Sequence, residues 1–169
     1  MDTTSNLLLN YLSGDISTKV EINKLKSITN TIIDKKNKID TANNYGSTTL
    51  HLLCEKRTLT LEMLIFLVEK YIEVNASIFT LNKYDEEPFT FLCCNKNCTK
   101  EMLEYFINKY NIYKRNLPIE IISSIASRNP TLLYIIVPYF TIEDFETQLI
   151  EHEIDDKILE EFNNYKIDF

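Results

Sequence analysis

Apolar residues along this chain fall into short runs of helical period, separated by polar breaks. Leu50, Leu53 and Cys54 stand at i, i+3 and i+4 and make one apolar face. Residues 58–60 form a polar break, and Thr60 is placed to N-cap a second helix. The inner face of that helix is Met63, Leu64, Leu67, Val68 and Tyr71. The same sentence is spelled again downstream: Phe89, Leu92 and Cys93 on a first helix, Thr99 as cap, then Met102, Leu103, Phe106, Ile107 and Tyr110. Glu62 and Glu101 sit in the first turn, where the helix dipole favours anions. Weaker copies flank these two. Upstream, residues 5–12 and about 18–37 read as helices around a Gly14-Asp15 break, with Leu25, Ile28 and Ile32 facing inward. Downstream, residues 118–126 read as a short helix with Pro118 in its first turn. Asn129-Pro130 breaks it, and residues 131–140 are its apolar partner. Residues 142–151 and 155–165 make the last pair. The pattern predicts an all-α chain of about five helix pairs, with extended segments confined to connections.

The two central pairs are a repeat. Residues 45–71 superimpose on residues 84–110 without a gap, an offset of 39. Tyr45 falls on Tyr84, Leu53 on Leu92, Cys54 on Cys93, Thr60 on Thr99, Glu62 on Glu101 and Tyr71 on Tyr110. One helix pair cannot bury its apolar face alone, so neighbours must stack and share a core. The expected organisation is one domain over 1–169. Residues 1–40 would be an N-terminal capping pair, 43–81 and 82–115 repeats, 116–140 a degenerate repeat, and 141–169 an acidic C-terminal capping pair.

Residues 46–54, Gly-Ser-Thr-Thr-Leu-His-Leu-Leu-Cys, resemble the ankyrin-repeat motif, in which G-x-T-P-L-H-x-A opens the first helix. Asn43 stands where that family usually has Asp. The second copy keeps the proline as Pro88, substitutes Phe89 for Leu and Thr90 for His, and lacks the glycine. A period of 39 exceeds the family's usual length of about 33, with the excess between Tyr71 and Asn82. The resemblance covers residues 43–112 and implies an ankyrin-like α-solenoid; a HEAT-type solenoid is the alternative. It also implies that Thr48 and His51 satisfy backbone groups near the turn and the next repeat. Gly46 would take a positive φ, a conformation that Glu86 in the second copy must meet or avoid.

Composition narrows the function. Two glycines among 169 residues leave no Gly-rich phosphate loop. A net charge of −7 disfavours general binding to nucleic acid or anionic lipid. Charge is uneven: residues 1–142 are near neutral at +1, and residues 143–169 carry −8. The longest apolar run, residues 132–140, is about half the ~20 residues a membrane span needs. The first residues do not read as a secretory leader, and three of four cysteines crowd into residues 93–98. Free thiols in an intracellular location, cytoplasmic or nuclear, are therefore expected.

Candidate chemistry is thin. His51, Cys54, Cys93, Cys94 and Cys98 lack metal-ligand spacing, so neither metal nor cofactor is expected. Cys54 and Cys93 read as buried packing thiols, and Cys98, near an interhelical loop, as exposed. His152 lies among acids, and paired carboxylates such as Asp155-Asp156 have no apolar pocket to shift them. No enzyme is expected. Lysines 35, 36 and 38 read as a solubilising cap. Ile154, Ile158 and Phe162 follow i, i+4, i+8 and would seal the end of the stack.

The resemblance implies a protein–protein interaction module, acting as a monomer on a partner protein, not on nucleic acid or a membrane. Recognition would fall on the turn tips Asn43, Asn44, Tyr45 and Ser47, then Lys83, Tyr84, Asp85 and Glu86. The first helices would add Glu55, Lys56, Arg57, Asn95 and Lys96. Short divergent ankyrin proteins of viruses, protists and intracellular bacteria extend this to modulation of host or cell signalling. The alternative is a structural subunit of an oligomer or fixed complex.

Overall fold

The computed structural model describes residues 6–151. Their regular structure is helical; the one β feature among them is an isolated bridge between Ala42 and Thr48. Five helices precede Asn97: α1 (Leu7–Leu12), α2 (Ile22–Asp34), α3 (Thr49–Glu55), α4 (Leu61–Glu73) and α5 (Pro88–Cys94). After it come α6 (Lys100–Ile112), α7 (Ile121–Arg128), α8 (Leu133–Ile136) and α9 (Ile142–Glu151). Contacts divide the chain between Asn97 and Cys98 into two compact units.

The 39-residue period is kept to the residue. α2, α4 and α6 each have 13 residues and begin 39 apart. α3 and α5 each have seven and do the same. Thr60 and Thr99 cap α4 and α6, their hydroxyls accepting from Met63 N and Met102 N. The helix ends repeat as well. Lys36, Asn75 and Lys114, again 39 apart, take positive φ of 56°, 58° and 52°. At each, the N–H of that residue and of the next turn back onto the helix. Asn37 N reaches Ile32 O, Ala76 N reaches Tyr71 O, and Arg115 N reaches Tyr110 O, at 2.8–2.9 Å. This is the Schellman stop, made without its usual glycine.

In the first unit the first helices form one row, with α3 against both α1 and α5. The second helices form another, with α2 against α4. Between the rows lie Leu8, Leu12, Leu25, Ile32, Leu50, Leu53, Leu64, Leu67, Val68 and Tyr71, all buried. Each such aliphatic side chain contributes about 1.5–3 kcal/mol on burial. Tyr71 is fully buried, and its hydroxyl is tied to Thr49 Oγ1 at 2.6 Å, Leu50 N at 3.2 Å and Ile39 O at 3.3 Å. Burial pushes its pKa up to about 12. In the second unit α7 packs on α8 and α9, and α6 meets α8, around Ile122, Ile125, Ile136 and Phe145.

The flanks differ from expectation in three places. α2 begins at Ile22 rather than near residue 18, because Asp15 captures the chain first. Its carboxylate accepts from Ser17 N at 2.7 Å, and its carbonyl accepts from Thr18 N. α7 begins at Ile121, three residues after Pro118; Pro118 O and Ile119 O accept from Ile121 N and Ile122 N in a tight turn leading into the helix. Residues 131–140 are not one helix. Pro138 has no N–H to donate, and only α8 is α-helical, between 3₁₀ turns at Pro130–Leu132 and Val137–Tyr139. The expected helix over 155–165, and the stripe of Ile154, Ile158 and Phe162, lie outside the described residues.

Thr29 breaks the core pattern. It occupies the α2 position that Val68 and Ile107 fill 39 and 78 residues on, and it is fully buried. Its hydroxyl is the one buried side-chain polar atom among the described residues without a partner. Thr29→Val keeps the shape and removes the unsatisfied group. It is expected to stabilise the fold by about 1 kcal/mol. Urea unfolding of the two proteins is the measurement, and a lower midpoint for the variant would contradict this account.

Candidate interaction surface

Two turn tips protrude before α3 and α5, and an asparagine builds each. Asn43 Oδ1 accepts from Tyr45 N at 2.9 Å and Ser47 N at 3.0 Å. Asn82 Oδ1 accepts from Tyr84 N at 2.8 Å and Glu86 N at 3.1 Å. Main-chain bonds close both turns, Asn43 N to Ser47 O and Asn82 N to Glu86 O, each 3.0 Å. Gly46 sits at φ 77°, and a Cβ there would lie 3.1 Å from Lys83 N. Glycine is thus required twice over, by conformation and by the neighbouring tip. In the second turn the positive φ of 60° falls on Asp85, the residue 39 after Gly46, and Glu86 avoids it. Asp tolerates this region better than most residues.

The tips are joined. Lys83 N donates to Tyr45 O at 2.9 Å, and the rings of Tyr45 and Tyr84 stack at 6.5 Å with 25° between planes. Both rings nonetheless stay open, at 60% and 66% exposure. Below them, Thr48 and His51 form a reciprocal capping box at the start of α3. His51 Nδ1 accepts from Thr48 N at 3.0 Å, and Nε2 donates to Glu86 O in the next turn at 3.1 Å. The edge of the ring meets Phe91, 5.3 Å between centroids. Both ring nitrogens are therefore spent on backbone, and burial holds the imidazole below its ordinary pKa.

The thirteen residues expected to meet a partner divide by position. Asn44, Tyr45, Glu55, Arg57, Lys83, Tyr84, Asp85 and Lys96 are exposed. Asn43 and Glu86 are half-buried, and the Glu86 carboxylate accepts from Asn82 Nδ2 at 2.9 Å. Ser47, Lys56 and Asn95 are buried. Lys56 is only 2% exposed and donates to Gly14 O at 2.6 Å and Asp15 O at 2.8 Å. Burial pulls its ammonium below the usual range, opposed by the charges of Glu55 and Asp15. Asn95, 39 residues later, donates to Cys54 O at 2.8 Å and Lys56 O at 2.9 Å. Two residues that read as surface recognition groups are thus internal clamps.

Cys54 and Cys93 are buried, as their place in the repeat implied. Cys98 is buried too, against expectation, and burial pushes its thiol up to about 12. Its repeat counterpart Leu59 is also buried, so the register pointed inward where loop proximity suggested otherwise. Cys94 is the exposed thiol. Among the described residues no three His, Cys, Asp or Glu side chains come together as a metal site, and no helix is long and apolar enough to cross a membrane. His152 lies outside the described residues.

A comparison with protein-family models gives no match, and a comparison with curated proteins gives no significant match.

Two measurements test this geometry. Lys56→Met strands two carbonyls and should lower the unfolding free energy by about 1–3 kcal/mol. The exposed Lys96→Met should change it by no more than about 0.5 kcal/mol. His51 gives a pH signature. Its folded pKa lies below the unfolded 6.5, so the unfolded chain binds the extra proton. Stability is full above about pH 6.5 and falls as pH drops toward the folded pKa. Urea midpoints should fall between about pH 7.5 and pH 5.5 in the native protein, and His51→Gln should flatten that fall. An unchanged slope in the variant would count against a buried neutral imidazole.

Proposed function

We propose that this chain is an ankyrin-type repeat protein that binds another protein, without catalysis or cofactor. The turn tips and the adjoining edge of the first helices are its recognition surface. The Thr48–His51 capping box and the His51 bond to the next turn support the ankyrin reading, since these are the roles that motif implies. The observation that carries the binding reading is the Tyr45–Tyr84 pair, stacked, exposed and mounted on turns fixed by asparagine. Tyrosine offers large contact area with few torsions to freeze, and it is enriched among residues that dominate interfaces. Here the ordering cost is already met by the turns. Lys83 and Asp85 flank the rings with opposite charges, which favours a mixed protein surface over a polyanion. Asn44, Glu55, Arg57 and Lys96 supply the exposed polar rim.

Affinity capture from native lysate, comparing the wild type with Tyr45→Ala/Tyr84→Ala, tests the reading. Together the two anchors are expected to contribute at least about 2 kcal/mol, so the captured partner should bind the double variant at least roughly 30-fold more weakly. Both rings are largely exposed, so melting should be little changed. Equal capture by both proteins would remove the tips from the interface.

A further inference from the structure

His51 lies beneath both turn tips and bonds to an end of each. Its Nδ1 is 3.0 Å from Thr48 N, where the chain leaves the first tip. Its Nε2 is 3.1 Å from Glu86 O, the carbonyl that also accepts from Asn82 N to close the second tip. A backbone N–H only donates and a carbonyl only accepts. The neutral ring therefore carries its proton on Nε2 and offers the lone pair of Nδ1. The side chain is fully buried. The tips are thus joined through a group that fits its place in one protonation state alone.

A second proton has to go to Nδ1. It then points at the Thr48 N–H, donor against donor, and that bond of the capping box is lost. The Thr48 hydroxyl, 2.9 Å from Nδ1, can accept the new proton, but the Thr48 N–H is left unmet. The new charge is also badly placed. His51 stands in the first turn of α3, where the helix dipole repels cations, and a buried cation needs an ionised partner. Neighbouring elements supply little. α1 and α5 bear no charged side chain, their titratable groups being Tyr11 and the thiols of Cys93 and Cys94. Glu55, at the far end of α3, is exposed. On α4, Glu62, Glu69 and Glu73 are exposed, Lys70 is half-buried, and the buried Tyr71 hydroxyl is neutral. In the second turn Lys83 and Asp85 are exposed, and Glu87 is buried at the start of α5. The Glu86 carboxylate is the charge that draws a proton to the ring, and burial outweighs it.

The links at the other end of α3 lack this sensitivity. Lys56 holds Gly14 O and Asp15 O with an ammonium that acid keeps charged, and Asn95 uses a carboxamide that does not titrate. Acid therefore acts on the tip end of α3 and leaves the clamp end standing.

We propose that His51 is an acid-operated release for the tips: a proton on Nδ1 frees Thr48, the turn over the ring opens to let the charge reach water, and the Tyr45–Tyr84 stack parts while the helix rows of the first unit stay folded. The bond from Lys83 N to Tyr45 O, next to Asn82, goes with it. The stacked pair is presented only while the imidazole is neutral. This release is a property of the tips themselves, so its test is separate from whether they bind a partner.

The test is an NMR titration of the full chain from about pH 7.5 to about pH 5.0. The His51 ring should titrate below its ordinary 6.5. With the same midpoint, protection of the Thr48 and Lys83 amides against exchange should fall at least about tenfold, and the Overhauser contact between the Tyr45 and Tyr84 rings should vanish. The amides of Leu67 and Val68 in α4 should keep their protection. His51→Gln retains an acceptor and a donor without a titrating ring, and should keep the ring contact at about pH 5.0. The proposal is overturned if the His51 ring stays neutral over this range, if the tyrosine contact outlasts its titration, or if the α4 amides lose protection together with the tips. All three are read on the wild type, whatever the variant's stability. Parting of the tyrosines in His51→Gln at the wild-type midpoint would overturn it as well.

Discussion

Seven residues are too few for a helix to satisfy its own ends. In α3 and α5 most carbonyls and N–H groups of the first and last turns have no intrahelical partner. Neighbouring repeats supply what is missing. Asn95 takes the carbonyls of Cys54 and Lys56, and Lys56 itself takes those of Gly14 and Asp15. At the opposite end of α3, His51 caps its own helix with one nitrogen and reaches Glu86 with the other. The apolar rows bring the helices together, but these polar links set their spacing and hold the turn tips in line.

This division explains what was legible in the sequence. Apolar periodicity and a gapless offset of 39 located the second helices, because Leu64, Leu67 and Val68 or Leu103, Phe106 and Ile107 leave no other face to bury. Thr60 and Thr99 were legible because a hydroxyl before an apolar run has few other uses. Lys56 and Asn95 were not. A polar residue after a short helix looks the same whether it faces water or a neighbour's carbonyls, and only the fold distinguishes them. The helix stops at Lys36, Asn75 and Lys114 were hidden for a related reason. Glycine would have marked them, and ordinary residues do not.

Where the period falters, the physics is local. Asp15 trims α2 by folding back on Ser17, and Pro138 cuts the last apolar run into short turns. Of the surface, the two tyrosines were legible from their recurrence.

The Lys56 clamp also bears on the order in which the chain is made. Its ammonium joins residues 41 and 42 positions earlier, and Asn95 reaches back 39 and 41. A ribosome adding 5–20 residues per second leaves each earlier loop open for about 2–8 s before its clamp emerges. Folding of the first unit therefore advances from the N-terminus with a lag of one repeat, and the newest helix pair is always the one with unmet carbonyls.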